Sequence, residues 1–573
     1  MAVREKSVAW RLFPVKRYST YCGPFPQATI LAGVEAFAES WRLKKFAQIY
    51  LRVSSSFNLS FVPGARSEGD TRGQPGMDTL EQDVAAPARA IGERAATATG
   101  SNSLIRFWMP VALLLAVFAF SVPTIPSADM WWHLSTGRYI LQNHSIPHTD
   151  PFSATAAGKP WIAHEWLADI LFYGAYSALG SAGLLLLTAA VLTLAFWFAY
   201  ARSGGNEVAR IMALGLGVWA ASPIFSVRPQ IFTYAFAAIF LLVLTRYFEH
   251  GSWKPLIVLP VLTILWVDLH GGYILGPALI LLFAAGAVAD WLGGNTDART
   301  TGRRVVTLVA ACAACLAVVP LNPNGLAMYS YPFETLSSGG MQAGIMEWRS
   351  PDFHLSIFHP FALLLFLTVA VLALSPKRPK PSQIVLFVFF AFASLYSMRN
   401  LPFFVLVSFP LLAEYASLPA WRLPAFSPAL QSVLKLAAVV VVAVISAKVV
   451  SDHVATELEF EQSRFPARAA SFLDAQKLPA PLLNSYDFGG YLIWRLYPQY
   501  RVYIDGRADL YGDAFLDKFI QLYDVNIDPR PALEQEGIRT VLVEPGSNLA
   551  NFLRTQQNWK RVYEDPVAVV FSR

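Results

Sequence analysis

Between positions 129 and 165 the chain carries three acids, Asp129, Asp150 and Glu165, and four histidines, His133, His144, His148 and His164. A carboxylate or imidazole held near a reacting hydroxyl can accept its proton, and clustered acids can also hold a cation. Trp131 and Trp132 stand between Asp129 and His133, and Trp161 and Trp166 bracket His164 and Glu165. Such aromatics are typical of chain lying in the boundary zone of a membrane. For any single histidine here, anchoring a loop at that boundary is the bland alternative. Asp129 is different, because an acid next to a hydrophobic segment is costly unless it has a task. From Glu165 onward, Trp166-Leu167, Ile170-Leu171 and Tyr173-Gly174 recur at helical spacing, and Glu165 and Asp169 share the polar face. That spacing predicts a helix lying on the membrane.

A second polar stretch reads Met346-Glu347-Trp348-Arg349. The guanidinium of Arg349 suits the forked bonds that phosphate oxygens accept. Arg228, His270 and Arg399 fall at the ends of apolar segments, where a phosphate-bearing lipid entering between helices would meet them; a salt bridge or headgroup contact is the plainer alternative for each. Two clusters in the C-terminal part, Asn484–Tyr491 and Arg501–Gly512, combine acids with glycines near predicted strands. They fit a site at strand ends or simple turn chemistry equally well. This part is expected to bind glycan or to cap a membrane cavity. Cys312 and Cys315 lie within an apolar run without a second pair and read as packing residues.

The elements that must carry these residues are membrane helices. Of 573 residues 55% are hydrophobic and only 15% charged, against about 25% charged in soluble domains. The net charge of +6 comes from short basic clusters between apolar runs, which is topology signal and gives no support for nucleic-acid binding. Apolar segments are predicted at 104–122, 181–200, 207–222, 230–247, 255–268, 273–291, 305–320, 359–375, 382–397, 401–416 and 432–450. Basic residues gather in alternate loops, 202–210, 246–254, 299–304 and 377–380, which are therefore expected to be cytoplasmic. The remaining loops, above all 123–165 and 321–358, and the region 451–573 fall on the opposite side together with every polar residue singled out above. Residues 1–103 read as a mostly disordered cytoplasmic region in which Met77 offers an alternative start. The fold class expected is a polytopic helical membrane protein of about eleven spans, residues 104–450, followed by a small extracytoplasmic α/β domain, residues 451–573.

Asp129-x-x-Trp132-His133 and His164-Glu165-Trp166 are similar to motifs in the first loop of uncharacterised bacterial membrane proteins. An acid, Asp129, directly after the first span, interfacial helices in the first long loop and a second long external loop between the seventh and eighth spans resemble the GT-C superfamily of membrane glycosyltransferases. That class includes protein O-mannosyltransferases and aminoarabinose transferases. The resemblance covers about 104–450. It implies a multi-pass protein of the cell inner (plasma) membrane that moves a sugar from a polyprenyl-phosphate donor to a glycan, lipid or protein acceptor outside the cytoplasm. It also implies that Asp129 is the first-loop acid, acting as base or cation-associated carboxylate, with Asp150 or Glu165 as the second and Mg²⁺ or Mn²⁺ as the cation. The Asp-Glu or Asp-x-Asp pair of better-known members is missing at Asp129. His133 stands beside Asp129 as a further proton acceptor, and His164, Arg228, His270, Arg349 and Arg399 are the expected substrate contacts. Two rival functions are a lipid or polysaccharide transporter, for which charges deep within spans are expected, and a non-catalytic assembly or scaffold protein working through its exported tail.

Overall fold

The computed structural model describes residues 111–123, 127–339, 346–416 and 427–573. The region 1–103, with Met77, lies outside them. All the predicted apolar segments contain helices: α1 (Val111–Phe120), α4 (Ser181–Arg202), α5 (Glu207–Ala221), α6 (Gln230–His250), α7 (Val258–Leu269), α8 (Leu275–Leu292), α9 (Ala298–Ala317), α11 (His359–Leu374), α12 (Pro381–Tyr396), α13 (Leu401–Tyr415) and α14 (Pro428–Arg464). Among the described residues seven helical stretches are long and apolar enough to cross a membrane, and α1 and α12 are shorter apolar helices. Local chemistry sets several ends. The side chain of Asn206 caps α5 by accepting from Val208 N at 2.8 Å, and Asp297 caps α9 by accepting from Thr300 N at 2.9 Å.

The basic loops meet one another at one end of the bundle. Arg304 donates to the Phe248 carbonyl, Arg202 to that of Leu406, Lys377 pairs with Glu414, and Ser382 N donates to Asp290. The candidate site residues lie in the other set of loops, so the alternation read from charge corresponds to a physical separation.

Three helices belong to the loops of that other set: α2 (Met130–Asn143), α3 (Trp166–Leu179) and α10 (Ala327–Ser337). The helix predicted from Glu165 is α3. Beyond α14, which runs past the expected boundary at 451, come α15 (Ala467–Gln476), β1 (Leu482–Asn484), α16 (Tyr486–Leu496), α17 (Ala508–Tyr511), α18 (Asp513–Tyr523), α19 (Pro529–Gln535), β2 (Thr540–Val543), α20 (Asn548–Leu553), β3 (Lys560–Glu564) and β4 (Val569–Ser572). The sheet order is β1-β2-β4-β3, with β1 and β2 parallel and the other pairs antiparallel. The expected small α/β domain is therefore present.

The segment 501–504, whose run Arg501-Val502-Tyr503-Ile504 reads as a strand, finds its partner outside the domain. Val502 bridges to Ser153 of the first loop, exchanging Ala154 N to Val502 O at 2.8 Å and Val502 N to Phe152 O at 3.2 Å. Asn484, fully buried, fastens the other side by accepting from Tyr503 N and donating to the Ile504 carbonyl, both at 2.8 Å. On the far side of α2, Trp131 is fully buried, edge-on to Tyr491 of α16 at 4.9 Å and to Phe465 at 5.5 Å. The first loop is thus shared between the helical bundle and the C-terminal domain.

Candidate functional site

A cavity of about 390 Å³ opens where α2, α3, the helix ends and the C-terminal domain meet, within the roughly 300–1,000 Å³ of small-molecule sites. Asp129, His133, His164, Glu165, Arg228, His270 and Arg399, all singled out in the sequence, line it together. Asp150 and Arg349 do not. Arg349 is exposed, and its carbonyl accepts from Met398 N at 2.9 Å. Asp150 is buried against Arg507, whose Nη1 donates to it at 2.7 Å.

That Arg507 contact is structural in kind. The guanidinium is also forked onto Asp505, with Nε and Nη2 at 2.8 and 2.7 Å, and lies over the ring of Trp161 at 4.6 Å. Asp150 further accepts from the backbone N–H groups of Phe152 and Ser153 at 3.1 and 3.0 Å. Every charge in this group is paired, as burial demands, since removing one partner of such a pair costs about 3–5 kcal/mol. Asp150 thereby joins the first loop to the domain instead of facing the cavity.

One part of the cavity is organised by Arg228. Its Nη2 lies 2.8 Å from Asp129, its Nη1 donates to Glu347 at 2.9 Å, and its Nε donates to Ser127 at 2.7 Å. Burial raises the pKa of Asp129, which Arg228 offsets only in part, with Glu347 adding to the rise. Arg399 lies over the Trp348 ring at 5.1 Å and has no ion-pair partner among the described residues. The indole N–H of Trp348, which also lines the cavity, is buried without a hydrogen-bond acceptor among those residues, while that of Trp132 faces the Asp129 carboxylate. Buried donors without an acceptor are rare in folded proteins.

The other part is organised by Glu165, toward which three imidazoles converge. The Nε2 atoms of His164, His270 and His133 lie 3.2, 3.5 and 3.8 Å from its oxygens. Hydrogen bonds to the opposite ring nitrogens assign their protons. His270 Nδ1 accepts from Gly272 N at 2.9 Å, so its proton sits on Nε2, facing Glu165. His164 Nδ1 donates to the Ile162 carbonyl at 3.2 Å, and its Nε2 also faces the carboxylate, so it carries both protons. Burial opposes that charge, but Glu165 raises the His164 pKa. Burial would lift Glu165 too, yet His164, with His270 and His133, holds it well below the usual carboxylate range. Burial lowers His270 to about 4 and His133 to about 3, so both are neutral at physiological pH.

The three acids expected to hold a cation are each committed elsewhere: Asp129 to Arg228, Asp150 to Arg507, Glu165 to imidazoles. Among the described residues no three of His, Cys, Asp or Glu are grouped to hold a metal ion. This donor set does not fit the oxygen cage that Mg²⁺ or Mn²⁺ prefers, and no chemical step is assigned to a cation.

Several lining residues belong to stretches that the sequence marks as polar without giving them a role in the site. Glu347 sits beside Arg349 in the same motif and shares Arg228 with Asp129. Gly506, Arg507 and Asp509 come from the C-terminal domain, and Tyr331, stacked on His164 with ring centres 4.2 Å apart, comes from α10 and donates to Asp509 at 3.2 Å. The C-terminal domain thus contributes part of the cavity wall. The polar Asp-Gly run at 505–509 was the signal, but its place depended on a contact between distant segments.

No family model and no curated protein matches the chain. Solved structures similar to it include an oligosaccharyltransferase from Archaeoglobus fulgidus in the apo form (TM-score 0.45, 13% identity, 76% of this chain and 69% of that one). ArnT from Cupriavidus metallidurans in the apo state (TM-score 0.42, 14% identity, 82% and 98%) and the arabinofuranosyltransferase AftD from mycobacteria (TM-score 0.41, 13% identity, 82% and 40%) are also similar. These likenesses are weak, and the roles of the cavity residues are argued from geometry alone.

Proposed function

We propose that the chain is a membrane glycosyltransferase of GT-C type that transfers a sugar from a polyprenyl-phosphate donor to an extracytoplasmic acceptor. The observation that carries this reading is the convergence, in one cavity on the side away from the basic loops, of proton acceptors, the indole donor of Trp348 and the Arg399 guanidinium, which has no carboxylate partner among the described residues. Arg399 suits the phosphate of a lipid-linked sugar, whose negative charge grows as the bond to the anomeric carbon breaks. Trp348 offers its N–H to phosphate or sugar oxygens. Asp129 and His133, one turn apart at the start of α2, are the proton acceptors for the attacking hydroxyl. The donor's isoprenoid chain would remain in lipid, with the cavity facing the non-cytoplasmic side of the plasma membrane. The acceptor is a hydroxyl-bearing glycan, lipid or protein.

A transporter would place charges deep within spans, whereas the charges lining this cavity come from helix ends and loops. The test is transfer of label from radiolabelled polyprenyl-phosphate sugars to acceptors in membranes holding matched amounts of wild type or Asp129→Asn protein. Transfer by wild type, reduced at least about 100-fold in the variant, is the expected result. Equal transfer by both, or none by wild type across the common sugars, would overturn the reading.

A further inference from the structure

Asp169, fully buried on α3, is given no role by the proposed reaction, yet its carboxylate lies 2.6 Å from Nδ1 of His133. The contact depends on an unusually close approach of two helices. Gly137, one turn beyond His133 on α2, faces the backbone of α3, and a Cβ there would fall 2.2 Å from the carbonyl oxygen of Asp169. Only glycine lets α3 come near enough for so short a side chain as aspartate to reach the imidazole. The ring is further fixed by Trp132, with ring centres 3.6 Å apart, and by the edge-on Phe172 at 6.2 Å.

The three imidazoles of the cavity differ at Nε2. In His164 and His270 that atom is protonated and directed at Glu165, whereas Nε2 of His133, at 3.8 Å, is beyond hydrogen-bond distance of the carboxylate. When Asp169 is ionised it accepts from Nδ1–H, and in that tautomer His133 presents an unprotonated Nε2 at the cavity wall. Asp129, the other acceptor, is less available. Arg228 holds its Oδ2, and Gly506 packs so closely on its Oδ1 that a Cβ there would lie 2.0 Å away. Burial and the nearby Glu165 raise the pKa of Asp169, with Arg507 opposing them.

We propose that Asp169 is a positioning residue that acts through His133, and that Nε2 of His133 is the atom that takes the acceptor's proton. The inference rests on the glycosyltransferase reading. In the step it describes, the acceptor oxygen forms a bond to the anomeric carbon. The bond from that carbon to the donor's phosphate oxygen breaks, and its electron pair leaves with the polyprenyl phosphate. The hydroxyl proton passes to Nε2, and the resulting imidazolium is held by Asp169 at Nδ1, with Glu165 nearby. The arrangement parallels the Asp-His half of a hydrolase triad, where the carboxylate orients the ring and stabilises its charged form.

The test compares wild type, Asp169→Asn, Asp169→Glu, His133→Gln and the double variant Asp169→Asn/His133→Gln in the transfer assay, with kcat and KM measured separately. Asparagine matches aspartate in size, and folding is checked by thermal unfolding. Expected are a fall in kcat of about 100-fold in Asp169→Asn with KM unchanged, partial recovery in Asp169→Glu, and a double variant no slower than His133→Gln alone. A kcat within about threefold of wild type in Asp169→Asn, or losses that multiply in the double variant, would overturn the inference and leave the functional reading standing. Absence of transfer by wild type would overturn both.

Discussion

At the scale of single residues, the site is a set of charges whose states are fixed by their neighbours. Glu165 and His164 form a charged pair, while His133 and His270 are kept neutral by burial. This has a consequence for stability. In the unfolded chain both imidazoles take up protons near pH 6.5, whereas in the folded protein they do so only near 3 and 4, so below 6.5 the unfolded state binds more protons. Their contribution is present above pH 6.5 and is lost as the pH falls toward 4; the raised pKa values of His164, Asp129 and Asp169 act in the opposite sense. The loss of thermal midpoint in detergent attributable to His133 between pH 7.5 and 5 should therefore be missing in His133→Gln, whose midpoint falls less, or rises more, than that of wild type over this range. The same change in both proteins would contradict the assignment. Asp129, His133, His164, Glu165, Arg228, His270 and Arg399 were legible in the sequence because polar groups next to apolar segments are costly without a purpose. The pairing of His133 with Asp169 was not, since thirty-six positions separate them and only the contact at Gly137 brings them together.

At the scale of elements, close backbone approach decides what each loop can present. Two glycines of the C-terminal domain make opposite predictions. A Cβ at Gly506 would meet the side-chain tip of Asp129, while one at Gly489 would fall 2.1 Å from the backbone oxygen of Ile504. Gly506→Ala should push Asp129 off Arg228 and lower transfer by about 100-fold, the scale of a misplaced reacting group, with little change in thermal midpoint. Gly489→Ala must move backbone and should instead lower the midpoint. Gly506→Ala protein with full activity would show that Asp129 needs no such seating. Periodicity located the apolar helices and several tail elements, among them α15, β1 and β2. It missed α16, because Asp487, Gly489 and Gly490 read as acids and glycines at a strand end, although Phe488, Tyr491, Leu492 and Leu496 give the helix a buried face. The segment 501–504 was read as a strand, but its partner in the first loop lies too far along the chain for any local pattern to show.

At the scale of the whole molecule, the cavity belongs neither to the helical bundle nor to the C-terminal domain alone. The first loop leaves the membrane region, adds Ser153 beside Val502, and is locked by the buried group of Asp150, Arg507 and Asp505. Charge alternation along the sequence sorted the loops into two sets, and the structure brings each set together at its own end. How the tail closes over the site depended on those buried ion pairs, which no composition or spacing reveals. The proposed reaction requires this shared cavity to hold a lipid-linked sugar by its phosphate. The most direct measurement is an experimental structure of the protein with a polyprenyl-phosphate sugar bound. The phosphate is expected within hydrogen-bond distance of Arg399, with the sugar's anomeric carbon facing His133 and Asp129. A phosphate bound at the basic loops around Arg299–Arg304, or anywhere outside the cavity, would contradict it.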